Sequence, residues 1–251
     1  MSAQIETDPM AKTILVVHGD KGGVGKSTIA SLATDWARRQ FGRVMLVEGD
    51  ETIFDVAPRF DGHADVEILA VDLARPDMSE DAIVALLGEI ERAGGDRHII
   101  INTPASASKT LDAQADLIVP TLEEMGYRLL VAWMIDVGED SAALSMQSKL
   151  CALAKHKIAI RNERLKPAAS LPWERHPARD AWRASGGIEG TLPALSERVA
   201  ARLRGIPNAP VSQLISDSRL TAVERQSIKR WVTGAWIGAI EPLYKNALEG
   251  E

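Results

Sequence analysis

Lys21-Gly22-Gly23-Val24-Gly25-Lys26-Ser27-Thr28 stands just after the apolar, β-branched run Thr13–His18 (TILVVH) and directly before a segment in which Ile29, Leu32, Ala33 and Trp36 recur at helical spacing. A run of the first kind suits a strand buried on both faces. The second pattern predicts an amphipathic helix, with Gly42 as its C-terminal cap. A glycine-rich turn between strand and helix is where a phosphate loop belongs. Glycines let successive N–H groups point into one anion-sized cavity, and the helix N-terminus adds partial positive charge at the same point. Lys26 is placed to reach the β- and γ-phosphates, and Ser27 to offer its hydroxyl to Mg²⁺. Gly22, Gly23, Val24, Gly25, Lys26, Ser27 and Thr28 are the expected cofactor-binding set, Thr28 mainly as helix structure. The strict pattern G-x-x-x-x-G-K-[ST] asks for glycine where the chain has Asp20, whereas K-G-G-x-G-K-[ST] matches at every fixed position.

The same alternation continues along the chain. Arg43–Val47 and Val66–Val71 read as strands, and Ser79 opens a helix with Ile83, Leu86, Leu87 and Ile90 on one face, broken at Gly94 and Gly95. His98–Ile101 is the most hydrophobic strand candidate, and Leu117–Pro120 and Arg128–Met134 are expected to add two more. A helix with Ala143, Met146, Leu150 and Leu153 on one face then leads to strands at Lys157–Ile160 and Gly187–Leu192. Pro167, Pro172 and Pro177 mark the stretch 161–186 as the irregular insertion, and from about Ser196 the text is helical. The expected fold class is therefore α/β: a mostly parallel twisted sheet with helices on both faces, a P-loop NTPase fold in which 1–251 form one domain with a helical segment from about 196 to 251.

The lysine ahead of the glycines resembles the signature of the ParA/MinD family of P-loop ATPases, the SIMIBI-class proteins with a deviant Walker A loop, and the likeness covers roughly residues 12–195. That resemblance implies ATP and Mg²⁺ as cofactors. It makes Lys21 a residue that reaches the partner's phosphates in a nucleotide-sandwich dimer, so that ATP binding and homodimerisation are coupled. Lys21, Lys26 and Asp50 become the implied catalytic set, and Ser27, Asp50 and Asn102 the implied metal set. Asp50 matches the second acid of the Asp-x-Asp that ends the family's second strand, and Glu48 replaces the first. Asn102 stands where the family places the Walker B acid after the apolar run, so hydrolysis is expected to be slow and Asn102→Asp to speed it. Thr103–Ser108 would form the segment that senses the γ-phosphate. Asn162 lies near the family's adenine-binding asparagine, and Pro193 where its base-pocket loop begins. Thr103-Pro104-Ala105-Ser106, Pro120–Gly126, Leu192–Leu195 and the basic helix Thr221–Trp231 look most like the TraL-type and mobilisation-associated ATPases of conjugative plasmids.

Composition narrows the remaining classes. Hydrophobic residues at 45% and charged residues at 25% of 251 exclude disorder, collagen and fibre. Cys151 alone supplies no disulfide, zinc pair or iron–sulfur ligand set, which disfavours nitrogenase-type reductases and iron–sulfur carriers. Only Tyr127 and Tyr244 are present, so a tyrosine autokinase is disfavoured too. The acidic, non-apolar start, the acidic tail and the lack of a long apolar run lead to the expectation of a cytoplasmic protein without a membrane helix. Arg202, Arg204, Arg225, Lys229 and Arg230 could make a local basic face for DNA, but at a net charge of −6 a solvated charged surface is the default. The expected partners are a second copy on ATP binding and a protein that stimulates hydrolysis or docks the chain to a DNA-transfer or partition complex. Two other readings stay open: a regulatory module that hydrolyses little ATP, and a small-molecule ATP-dependent enzyme.

Overall fold

The computed structural model describes residues 12–19, 21–94 and 97–249. Asp20, Gly95, the acidic N-terminal stretch and Gly250–Glu251, on which some sequence expectations rest, lie outside these. Seven strands, β1 (Lys12–His18), β2 (Val44–Glu48), β3 (Val66–Ala70), β4 (His98–Asn102), β5 (Tyr127–Ile135), β6 (His156–Asn162) and β7 (Ile188–Leu192), form one sheet. Its order is β3-β2-β4-β1-β5-β6-β7, and every pairing is parallel. β1 therefore lies at the centre, flanked by β4 and β5, and the phosphate-loop sequence leaves the sheet from the middle of its C-terminal edge.

The helices are α1 (Lys26–Phe41), α2 (Ser79–Ala93), α3 (Ala107–Ala113), α4 (Ala115–Glu124), α5 (Glu139–Gln147) and α6 (Lys149–Leu153), followed by α7 (Pro177–Ala184), α8 (Glu197–Arg204), α9 (Val211–Leu214), α10 (Ala222–Ala235) and α11 (Glu241–Leu248). Side chains alternate across a strand, so each central strand feeds two cores. Leu15, Val17, Leu46, Ile100, Ile158 and Ile160 pack beneath α1 and α8–α11. Ile14, Val16, Val47, Ile99, Ile101 and Trp133 pack beneath α2–α7. Covering both faces is what permits an all-parallel sheet of continuous Ile/Val/Leu runs. The α/β architecture with helices on both faces is thus as the sequence predicts.

Two local expectations are corrected. Leu117–Pro120 is helical, within α4, whose buried residues Ala115, Ile118 and Leu122 follow a helical stripe. Pro120 lies on the exposed side, as does Asp116, the residue whose carbonyl it leaves without a donor, so water can serve that carbonyl. The expected single helix through 143–153 is two, because Ser148 caps α6 by accepting from the Cys151 N–H. The buried face carries Ala142, Ser145, Leu150 and Cys151, while Met146 and Leu153 are exposed. Ser79 opens α2 as the sequence predicts, and its hydroxyl accepts from Gln114.

The remaining sequence features settle into packing. Burial pushes the Cys151 thiol up to about 12, so it stays protonated. Trp231 and Trp236 are half-buried, donating to the carbonyls of Pro193 and Leu32. Among the described residues no helix is long and apolar enough to cross a membrane.

Candidate nucleotide site

The turn after β1 winds back on itself because Gly23 and Gly25 hold positive φ, 76° and 111°. Gly25 also meets the end of β6: a Cβ there would stand 2.6 Å from Asn162 Nδ2. As the residue before α1, Gly25 brings no side-chain cap, so the N-terminus of α1 opens towards the loop without an internal acceptor. Lys26 is almost buried, and its Nζ donates to the carbonyl of Lys21 at 2.6 Å, which lays the ammonium along the loop. Lys21 Nζ stands 3.2 Å from Asp136 Oδ2, just beyond β5. Burial would raise the Asp136 carboxyl, but the Val137 and Gly138 N–H groups and the Lys21 ammonium outweigh it and hold it below the usual range.

Glu48, at the end of β2, is 1% exposed. Its Oε1 accepts from the N–H groups of Val56 and Ala57 at 2.6 and 2.8 Å, and its Oε2 from Asn102 Nδ2 at 2.7 Å. Gly49 N–H donates to the Asn102 carbonyl, so the loop that leaves β2 is tied at both ends. Within that loop Asp50 Oδ1 accepts from Thr52 N–H, Thr52 Oγ1 and Ile53 N–H, and the Thr52 hydroxyl first among these holds the carboxyl below its usual range. Asp55, five residues on, accepts from the Ser27 hydroxyl at 2.9 Å. Thr103, after β4, donates to the Val17 carbonyl and fixes the loop that runs to α3.

Two cavities open here and share Gly25, Ser27, Thr28, Asp55 and Arg164. One, of about 290 Å³, is lined by Gly22, Gly23, Lys26 and the Thr103–Ala105 loop. The other, of about 220 Å³, has apolar walls from Leu32, Leu192, Pro193, Leu203 and Trp231, with Arg59 and Arg204 at its edge. An anion cradle that continues into an apolar slot matches phosphates joined to a base. Ser27 and Asp55 offer the hard oxygen donors that Mg²⁺ takes. Among the described residues no cluster of three or more His, Cys, Asp or Glu could hold a metal alone, so such an ion would depend on phosphate oxygens.

The structure thus gathers Gly22, Gly23, Gly25, Lys26, Ser27 and Thr28 around one space and brings Pro193 to its apolar end. It does not bring Asp50 or Asn102 to the Ser27 hydroxyl, because Asp50 closes its own turn and Asn102 faces Glu48. Asn162 lines the slot, but its Nδ2 donates to the Val24 carbonyl and its Oδ1 accepts from Arg164 N–H, so the amide braces the loop. Asp55, Arg59 and Arg164 are site residues that the sequence reading missed. No motif spacing marks them, since they are set by how a loop is tied rather than by a strand end. Of the residues named for a basic face, Arg202 and Arg204 stand beside Glu224 and Glu197, and Arg225 donates to the Leu220 carbonyl.

No family model matches the chain. It is 25% identical over 224 residues to Protein MobD of Acidithiobacillus ferrooxidans, a match covering 88% of this chain and 94% of that one. Among solved structures, the septum site-determining protein MinD complexed with Mg-ADP from Pyrococcus horikoshii is similar at 16% identity, over 88% of this chain and 94% of its own, with a TM-score of 0.49. The MinD cell division protein of Aquifex aeolicus is similar at 16% identity over 87% and 95%, with a TM-score of 0.43.

Proposed function

We propose that residues 1–251 act as one nucleotide switch of the ParA/MinD type, which binds ATP with Mg²⁺, pairs with a second copy while ATP is bound, and reopens on slow hydrolysis. Its output is the positioning or movement of plasmid DNA or of a conjugative transfer complex, through a protein partner that docks to it or stimulates turnover. One observation carries this reading: the loop Lys21–Thr28 turns at the central C-terminal edge of a parallel sheet and faces a phosphate-sized cavity that runs into an apolar slot. The likeness to Protein MobD runs along nearly the whole of both chains, and its name is the support for a mobilisation-related output.

The protein's own groups divide the work. Loop N–H groups and the α1 N-terminus receive the phosphates, and Lys26 turns from the Lys21 carbonyl onto the β- and γ-oxygens. Bound Mg²⁺ would neutralise charge that builds on the terminal phosphate. Lys21 is already near the mouth, on Asp136, from where it can exchange that carboxylate for a partner's phosphates. The slot bounded by Leu192, Pro193 and Trp231 takes the base.

Lys26→Ala is expected to weaken binding of a fluorescent ATP analogue by at least about tenfold, the loss of a charge-assisted contact; unaltered binding would remove the loop assignment. Light scattering without nucleotide, with ADP·Mg and with a slowly hydrolysed ATP analogue tests the switch. A dimer is expected with the analogue alone, and is expected to be lost in Lys21→Ala. A monomer throughout would leave the regulatory module, which the neutral Asn102 beside a fully engaged Glu48 also favours. Metal-stimulated phosphate release separates those two.

A further inference from the structure

We propose that Asp55, and not Asp50, is the carboxylate of the Mg²⁺ site, supplying the charge that Asn102 does not. The inference rests on the nucleotide reading above and assigns its metal chemistry to a residue outside the Asp-x-Asp position.

Asn102 is neutral, and its N–H side faces Glu48. Three other acids named above stand near the loop, and each is already committed. Asp136 is held by the Lys21 ammonium and the Val137 and Gly138 N–H groups and lines neither cavity. Glu48 is buried with both oxygens engaged, by Asn102 and by the backbone of Val56 and Ala57. Asp50 is held in the turn by three bonds to one oxygen and lines neither cavity. Asp55 remains. Its Oδ2 accepts from Ser27 Oγ, and it lines both cavities on the wall they share.

The arrangement is chemically apt. A serine hydroxyl that donates its hydrogen to a carboxylate keeps its lone pairs for a cation and gains electron density from the acceptor. Mg²⁺ is held through one or two carboxylates together with substrate phosphates, so one acid at Ser27 suffices beside a triphosphate. Asp55 is also positioned rather than adrift, because the next two backbone N–H groups are fixed on Glu48. The buried acid at the end of β2 thereby sets where the exposed acid stands.

The test titrates Mg²⁺ into complexes of the full-length chain with a fluorescent ATP analogue, after a measurement in EDTA. In Asp55→Asn the EDTA affinity is expected to hold or rise, since a negative charge is lost near phosphates, while the Mg²⁺ concentration needed for half-effect rises about tenfold or more. Asp50→Asn is expected to keep the Mg²⁺ requirement of the unaltered chain. An unchanged requirement in Asp55→Asn, or the same loss in Asp50→Asn, overturns the assignment while leaving nucleotide binding intact. If the unaltered chain binds no analogue in EDTA or Mg²⁺, the nucleotide reading fails and this assignment with it. Asp55 is exposed, so matching circular dichroism of the variants is expected to exclude misfolding as the cause.

Discussion

Gly25 is held in place by backbone and neighbour together, which makes it a sharper probe of the loop than Gly23. At Gly23 an added Cβ meets nothing within 4 Å, and only the positive φ opposes it. Gly23→Ala is expected to cost about 1 kcal/mol in urea unfolding. Gly25→Ala adds a collision with Asn162 Nδ2 and is expected to cost about 2 kcal/mol or more, and to abolish binding of the ATP analogue. Asn102 reverses an expectation drawn from the sequence. An aspartate there would face Glu48 Oε2 across 2.7 Å in a buried setting and lose the amide's donated bond. Asn102→Asp is therefore expected to destabilise the protein at pH 7 by about 1–3 kcal/mol rather than to speed hydrolysis. One carboxyl of the pair would hold its proton above the usual range, so the deficit should shrink as pH falls towards 5; equal deficits at both pH values in urea unfolding would contradict this. The loop glycines were legible because their role is conformational and local. Asp55 was not, since its place follows from a bond between Glu48 and the Val56 and Ala57 backbone that no spacing records.

Strands were easier to read than the helices between them. Seven of the eight runs quoted from the sequence fall on β1–β7, six of them because a doubly covered parallel sheet needs uninterrupted Ile/Val/Leu stretches. The same rule misled at Leu117–Pro120, a short apolar run with a proline that belongs to α4. Short runs do not distinguish the two periods, and here the wider stripe through Ala115, Ile118 and Leu122 decided. How the elements are tied is less visible still. Arg59, in the turn Ala57–Phe60 after the β2 loop, donates to the carbonyls of Leu203, Ile206 and Ala209 at 3.3–3.4 Å. It joins that loop to the end of α8 and the segment beyond. Arg59→Met is expected to cost about 1–2 kcal/mol in urea unfolding, given these long bonds, with faster hydrogen exchange at both 56–60 and 203–209. Acceleration confined to one of the two would break the link.

Both buried histidines of the central sheet make the molecule acid-sensitive. Burial first, then Lys26, pushes His18 down to about 3, and burial pushes His98 down to about 4. In the unfolded chain each takes a proton near pH 6.5, so the unfolded state binds more protons than the folded one below that point. Stability is therefore full above pH 6.5 and falls through the range down to about pH 4 for His98 and about pH 3 for His18, by about 1.4 kcal/mol per pH unit for each. His18→Leu is expected to flatten the fall of the urea midpoint between pH 6.5 and 5 relative to the unaltered chain. A parallel fall would show that His18 is protonated in the fold. That the loop leaves the C-terminal end of β1 in a parallel sheet was open to inference from the sequence, whereas the order of the strands was not, because parallel βα units can be joined in several orders.

Every acceptor that Arg59 uses is a main-chain carbonyl. Such a clasp reads the path of the partner segment and is blind to its spelling. Residues 203–209 can drift in sequence without loosening it, so long as the backbone keeps its course, whereas position 59 has no such latitude. A chimaera that exchanges the C-terminal helices between related chains would carry over its side of the clasp automatically and would have to preserve only the arginine.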